Sequence, residues 1–195
     1  MYVCIVNLKH RQITTLVIHP KDESTDFLSP IYESVEDKLV VTGGKTKEEL
    51  KKLIETHDRI LIMGHGTPHG LLNFGSWNID SGHIIDYTFV ELLEQKPNTM
   101  YIWCNADQFV EYHKLSGFYS GMFVSEVGES QVFIPFTKVE QPTIDESNDR
   151  FSEFVSQHID KPMKEIHKEV KKEYSELNDT NPVIRYNSER LYYRE

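Results

Sequence analysis

Apolar and polar positions along this chain follow two periods, one near two residues and one near 3.6. Residues 2–8 and 13–18 are dense in β-branched and apolar side chains and flank the polar Lys9-His10-Arg11-Gln12, which predicts two strands joined as a hairpin. Residues 19–35 carry Pro20, Pro30 and several Ser and Asp and read as a loop, followed by a short strand over 38–42 that Gly43-Gly44 ends. Thr46-Lys-Glu-Glu49 fits a capping box, in which a Thr hydroxyl accepts from the third helical amide and a Glu reaches back. Leu50, Leu53 and Ile54 then recur at helical spacing, so a helix is expected over about 47–56. Arg59-Ile-Leu-Ile-Met63 carries four consecutive apolar residues, the pattern of a parallel strand covered on both faces, and it stops at Gly64-His65-Gly66. A second capping box, Thr88-Phe-Val-Glu91, opens a helix to about Gln95, and Pro97-Asn98 stops it before a strand over 99–104. Residues 106–115 then read as a helix, 121–126 as a strand, and 143–158 and 162–177 as two amphipathic helices. The tail is strand-like over 183–186 and 191–193, around a turn at Asn187-Ser188.

Strand, loop, helix and strand in that order assemble as a right-handed βαβ unit. The expected fold is therefore α/β, a three-layer sandwich around a mostly parallel sheet, with one core over residues 1–195. The chain is 38% hydrophobic and 11% aromatic, enough to fill such a core, and 27% charged, enough to cover it. Its formal charge of −10 opposes a polyanionic backbone, so no nucleic-acid partner is expected. No apolar run approaches the ~18 residues of a membrane span, and the first residues lack the basic start and cleavage site of a signal peptide. No membrane partner and a cytoplasmic location are the expectations. The two cysteines, Cys4 and Cys104, sit in apolar strand-like segments outside any disulfide or zinc spacing, and each is expected as a free thiol. Cys4 reads as a core residue without a chemical role.

Chemistry concentrates at two strand ends. In an open parallel sheet ligands bind beyond the carboxyl ends of the strands, and His65 and Cys104 both fall there, 39 positions apart with one helix between them. If the two strands are neighbours, imidazole and thiol share one cleft. A free thiol is only a few per cent thiolate near neutrality, and an adjacent imidazole can take its proton and later return it to a leaving amine. Gly66, lacking a side chain, would let a substrate carbonyl approach its N–H, which together with that of Cys104 could hold an oxyanion.

An apolar strand, His-Gly, a crossover, an apolar strand and Cys together resemble the caspase-hemoglobinase fold of cysteine peptidases, which includes caspases, metacaspases, clostripain and gingipains. The match covers about residues 59–127. Asn181-Pro182-Val-Ile-Arg185 also resembles the Asp-Pro-hydrophobic-Arg stretch near the end of some bacterial members. The resemblance implies that Cys104 is the nucleophile, that His65 is the general acid and base, and that Gly66 belongs to the oxyanion hole. It implies a peptide or protein substrate and requires no metal or organic cofactor. Trp103 stands where members usually have a small residue, and Asn105-Ala106-Asp107 follows the Cys.

Asp107, Glu126 and Glu129 lie near the expected strand ends. A carboxylate walling the substrate pocket would favour Arg or Lys before the scissile bond, whereas solvated loop acids and a helix cap are the plainer roles. His65 and His69, with His83 nearby, raise a zinc reading that Pro68 and the flanking glycines weaken, since they make the segment a loop. The Met163–Glu173 stretch alternates charge as a solvated helix does. Two rivals stand beside the peptidase. One is a non-catalytic peptide- or ligand-binding module on the same fold; the other is a nucleotide-binding doubly wound protein, for which no glycine-rich phosphate motif follows any expected strand.

Overall fold

The computed structural model describes residues 13–195, so Cys4 and the segment 2–8 lie outside the described residues. Six strands form the central sheet: β1 (Thr15–Ile18), β2 (Lys38–Val41), β3 (Arg59–Met63), β7 (Thr99–Ile102), β8 (Gly117–Ser120) and β9 (Leu191–Arg194). Their order is β2-β1-β3-β7-β8-β9, parallel throughout except for the antiparallel edge strand β9. The short strands β4 (Gly66–Thr67), β5 (Gly70–Leu72) and β6 (His83–Ile85) make a separate antiparallel sheet inserted between β3 and β7.

Successive strand residues point to opposite faces, and this alternation builds two cores. Val17, Leu61, Met63, Met100, Ile102 and Phe118 enter one, where they meet α1 (Pro30–Glu33), α6 (Gln141–His158) and α7 (Met163–Ser175) through Ile31, Phe151, Val155 and Val170. Leu16, Ile18, Ile60, Ile62, Tyr101 and Trp103 enter the other, against α2 (Lys47–Thr56), α3 (Val90–Leu93) and α4 (Ala106–His113). Helices therefore cover both faces of the mostly parallel sheet, an α/β arrangement compatible with a three-layer sandwich. Two further helices are α5 (Val127–Phe133) and α8 (Pro182–Ser188), the latter joined through Asn187 to Val124 in the segment that follows β8. No helix among the described residues is long and apolar enough to cross a membrane.

The α2 capping box forms as its sequence predicts, with Thr46 Oγ1 accepting from Glu49 N–H and Glu49 Oε2 accepting from Thr46 N–H. Five other expectations need correction. Both edges of β1 are taken in parallel by β2 and β3, so β1 is not one arm of a hairpin in this sheet. The supposed loop at 19–35 contains a 3-10 helix over Glu23–Leu28, capped by Asp22, and then α1. Asp86, not Thr88, caps the next helical segment, because its carboxylate accepts from Thr88 N–H and so starts a 3-10 turn ahead of α3. The strand expected at 121–126 lies one segment earlier, as β8, where Gly117 lets the chain approach β7. A Cβ at Gly117 would sit 2.1 Å from Thr99 O. Finally, residues 183–186 are helical: Asn181 Oδ1 accepts from the N–H groups of Val183 and Ile184, and Pro182 fills the first helical turn.

Candidate functional site

The pairing of β3 with β7 places Met63 opposite Ile102, and two residues further along each strand come His65 and Cys104. Met63 and Ile102 enter the same core, so the alternation carries His65 and Cys104 to that same face as the strands end. They line one cavity of about 20 Å³ together with Thr25, Leu28, Phe123 and Ser125. That is room for one water-sized group. Larger open grooves lie elsewhere, such as one of about 620 Å³ between Pro68, His69, Tyr87 and Tyr112.

Cys104 is half-buried and its thiol is free. Its Sγ lies 3.5 Å from the Phe123 carbonyl oxygen and 3.9 Å from Glu129 Oε1, both acceptors. Burial, followed by the negative charge of Glu129, pushes the thiol up to about 12. At neutral pH the resting sulfur is therefore an S–H group rather than a thiolate.

His65 is held from the other side. Its Nε2 lies 2.6 Å from Ser24 Oγ, and Ser24 Oγ in turn donates to Asp22 Oδ1 at 2.6 Å. Asp22 Oδ1 is 3.8 Å from the same imidazole nitrogen, and the Phe74 ring packs against the imidazole with centroids 4.9 Å apart. The Ser24 hydroxyl, with help from its backbone N–H and the nearby His65, holds the Asp22 carboxyl below its ordinary value despite some desolvation.

Gly66 opens β4, and a Cβ there would fall 2.0 Å from Trp103 Cδ1. The glycine is thus required by the indole of Trp103, which is 1% exposed and donates from Nε1 to Thr67 O at 3.2 Å. Trp103 turns to the face opposite Cys104, as strand alternation dictates, and joins the core with Tyr101 and Phe109.

The three acids separate. Glu126 and Glu129 form a capping box at the start of α5, with Glu129 Oε2 accepting from Ser125 N–H at 2.8 Å and Glu126 N–H at 3.2 Å. Glu129 Oε1 is the oxygen that faces Cys104. Asp107 stands in the first turn of α4 beside Gly121, its carboxyl pushed up by burial and its Oδ1 enclosed without a hydrogen-bond partner. None of Asp107, Glu126 and Glu129 lines the cavity shared by His65 and Cys104, though Glu129 comes within 3.9 Å of the sulfur. His83 bonds Thr67 Oγ1 at 2.9 Å, and among the described residues no group of three or more His, Cys, Asp or Glu is placed to hold a metal.

Sequence reasoning missed Asp22, Ser24 and Phe123. Asp22-Glu-Ser24 does carry a local signal, an Asp whose carboxylate caps the turn after it, but nothing in that signal names His65 as the distant partner. Protein-family models, curated proteins and solved structures were compared with the chain, and none matches. The fold and site define an α/β protein with an imidazole and a thiol in one small cavity at the carboxyl ends of two adjacent parallel strands.

Proposed function

We propose that the chain is a cysteine peptidase-like protein similar to the caspase-hemoglobinase group, hydrolysing peptide bonds with Cys104 as nucleophile and His65 as general acid and base. One observation carries this reading: His65 and Cys104 leave neighbouring parallel strands on one face and line one cavity. The thiol is protonated at rest, so its proton passes to His65 as sulfur attacks the peptide carbonyl carbon. The tetrahedral oxyanion would be met by the N–H groups of Gly66 and Cys104. Collapse breaks the C–N bond, and the amine leaves with the proton from His65. Water then hydrolyses the thioester, releasing the acid and restoring the thiol. No metal or organic cofactor enters these steps.

A basic residue before the scissile bond is the preferred substrate, with Glu129 Oε1, 3.9 Å from the nucleophile, the carboxylate oxygen that would face it. The second reading, a non-catalytic peptide- or ligand-binding module, is favoured by one observation, the thiol pushed up to about 12. Acyloxymethyl ketone probes that differ only in the residue before the reactive group separate the two. The expected outcome is covalent labelling of Cys104, strongest with Arg or Lys, absent in Cys104→Ala and at least ~100-fold slower in His65→Ala. Preference for an Asp or Leu probe would refute the basic specificity alone. A folded protein that no probe labels refutes the peptidase reading and supports the binding module.

A further inference from the structure

The imidazole of His65 touches a two-residue relay that the dyad itself does not require. We propose that Asp22 and Ser24 are positioning residues that fix His65 in the tautomer with the proton on Nε2 and the lone pair on Nδ1. For its kinetic consequence, this inference rests on the reading of Cys104 and His65 as a dyad; for the tautomer it does not.

A serine hydroxyl has one proton to donate and two lone pairs to accept with. Ser24 Oγ makes two short contacts of 2.6 Å, one to Asp22 Oδ1 and one to His65 Nε2, so its single proton serves only one of them. An ionised carboxylate has no proton of its own, and a hydroxyl oxygen facing it without a proton between them would be repelled. The Ser24 proton therefore belongs to Asp22. The Ser24 lone pair then faces Nε2, and only an Nε2–H makes that contact attractive. A neutral imidazole with Nε2–H has Nδ1 as its acceptor, the atom left to take a proton from a thiol.

The relay is built into the fold. Asp22 Oδ1 also accepts from Ser24 N–H at 2.9 Å as it caps the 3-10 helix over Glu23–Leu28. That helix is tied down at two further points, where Thr25 Oγ1 meets His19 Nε2 at 3.2 Å and Ser152 Oγ donates to Phe27 O. Asp22 and Ser24 are both half-buried, and the carboxyl of Asp22 is held below its ordinary value chiefly by the Ser24 hydroxyl. Carboxylate, hydroxyl and imidazole thus form one chain with a defined direction of donation, from Nε2–H to Oγ and from Oγ–H to Oδ1.

The test uses the full chain with ¹⁵N-labelled histidine. Long-range ¹H–¹⁵N spectra of the ring, with the His65 signals assigned by their loss in His65→Gln, report which nitrogen carries the proton. The Nε2–H pattern is expected in the native protein, a shift toward mixed tautomers in Ser24→Ala, and recovery in Ser24→Thr, which keeps the hydroxyl. Labelling of Cys104 by a peptidyl acyloxymethyl ketone should fall about twofold in Ser24→Ala and Asp22→Asn, as expected when the productive tautomer drops from nearly all of the population to about half, and return in Ser24→Thr. An Nδ1–H pattern in the native protein, or a Ser24→Ala ring identical to native, overturns the relay. Faster labelling in Ser24→Ala overturns it too, since the segment would then be obstructing His65 rather than setting it. Native Nε2–H lost in Ser24→Ala, with no probe labelling any variant, supports the relay and leaves the peptidase reading as the part that failed.

Discussion

At the scale of single residues, the protonation of Cys104 is set first by burial and then by Glu129, a carboxylate that the sequence also offers as a substrate-binding group. Glu129 has one oxygen fixed by the backbone of Ser125 and Glu126 and the other 3.9 Å from the sulfur. A negative charge there opposes a thiolate, and it ranks just after burial among the causes that push the thiol up to about 12. Glu129→Gln removes the charge while keeping an oxygen for the cap. Two unit charges about 4 Å apart repel by about 1 kcal/mol even in water, so alkylation of Cys104 by iodoacetamide at fixed pH should speed up by at least about fivefold. An unchanged rate would mean that the carboxylate does not reach the sulfur. His65 and Cys104 were legible in the sequence because each ends an apolar run, and a strand end in a parallel sheet is where ligands meet the chain. Ser24 was not, since its bond to His65 spans 41 positions and no periodicity encodes a contact that long. Gly66 was legible as a position needing a glycine, though the reason lies in the Trp103 ring.

Elements were readable where local chemistry and burial agree. The capping box and helical spacing of α2 and the apolar run of β3 each follow from their own residues. Disagreement appears where two adjacent segments could both pair. Residues 117–120 and 121–124 are similarly apolar, and the first pairs as β8, where Gly117 allows the close approach to Thr99 and β9 takes the other edge. The segment after β8 is instead held by α8, through Asn187, whose sequence neighbourhood suggests a turn. Asn187, fully buried, accepts from Val124 N–H at 2.8 Å and donates to Val124 O at 2.9 Å and to Ser147 Oγ at 3.2 Å. Val124 adjoins Phe123, whose carbonyl faces the Cys104 thiol, so this network sets the wall of the cavity. Asn187→Ala would leave a buried N–H and a buried carbonyl unpaired, each costing about 1–3 kcal/mol. Urea unfolding should show a loss of about 2–4 kcal/mol, and a loss under about 1 kcal/mol would contradict the role given to this residue.

For the molecule as a whole, acid should be destabilising in a window that one buried and three half-buried histidines define. His19 is 3% exposed, with Nδ1 3.0 Å from the Tyr32 hydroxyl and Nε2 3.2 Å from Thr25 Oγ1, and burial lowers its pKa against the smaller opposing pull of Asp26 and Asp22. Burial is also the leading cause that lowers His83, His113 and His167, where Asp86, Glu94 and the Leu191 carbonyl respectively oppose it. Unfolded histidine takes up its proton near pH ~6.5, while these four remain neutral in the folded chain until the pH is lower. The unfolded state then binds more protons than the folded one, so stability is fully present above about pH 6.5 and is lost as pH falls through the folded values. The formal charge of −10 acts in the opposite sense, because protonation relieves repulsion among the acids, but that effect is screened by salt whereas desolvation of a buried ring is not. Thermal unfolding measured from pH 7 to 5.5 in ~150 mM salt, near a Debye length of ~8 Å, should show a falling Tm. His19→Gln, which keeps hydrogen-bonding groups near Tyr32 and Thr25 and removes the titration, should flatten that fall while lowering Tm at pH 7. A Tm that rises on acidification, or a slope that His19→Gln leaves untouched, would show that burial of His19 does not couple folding to protons.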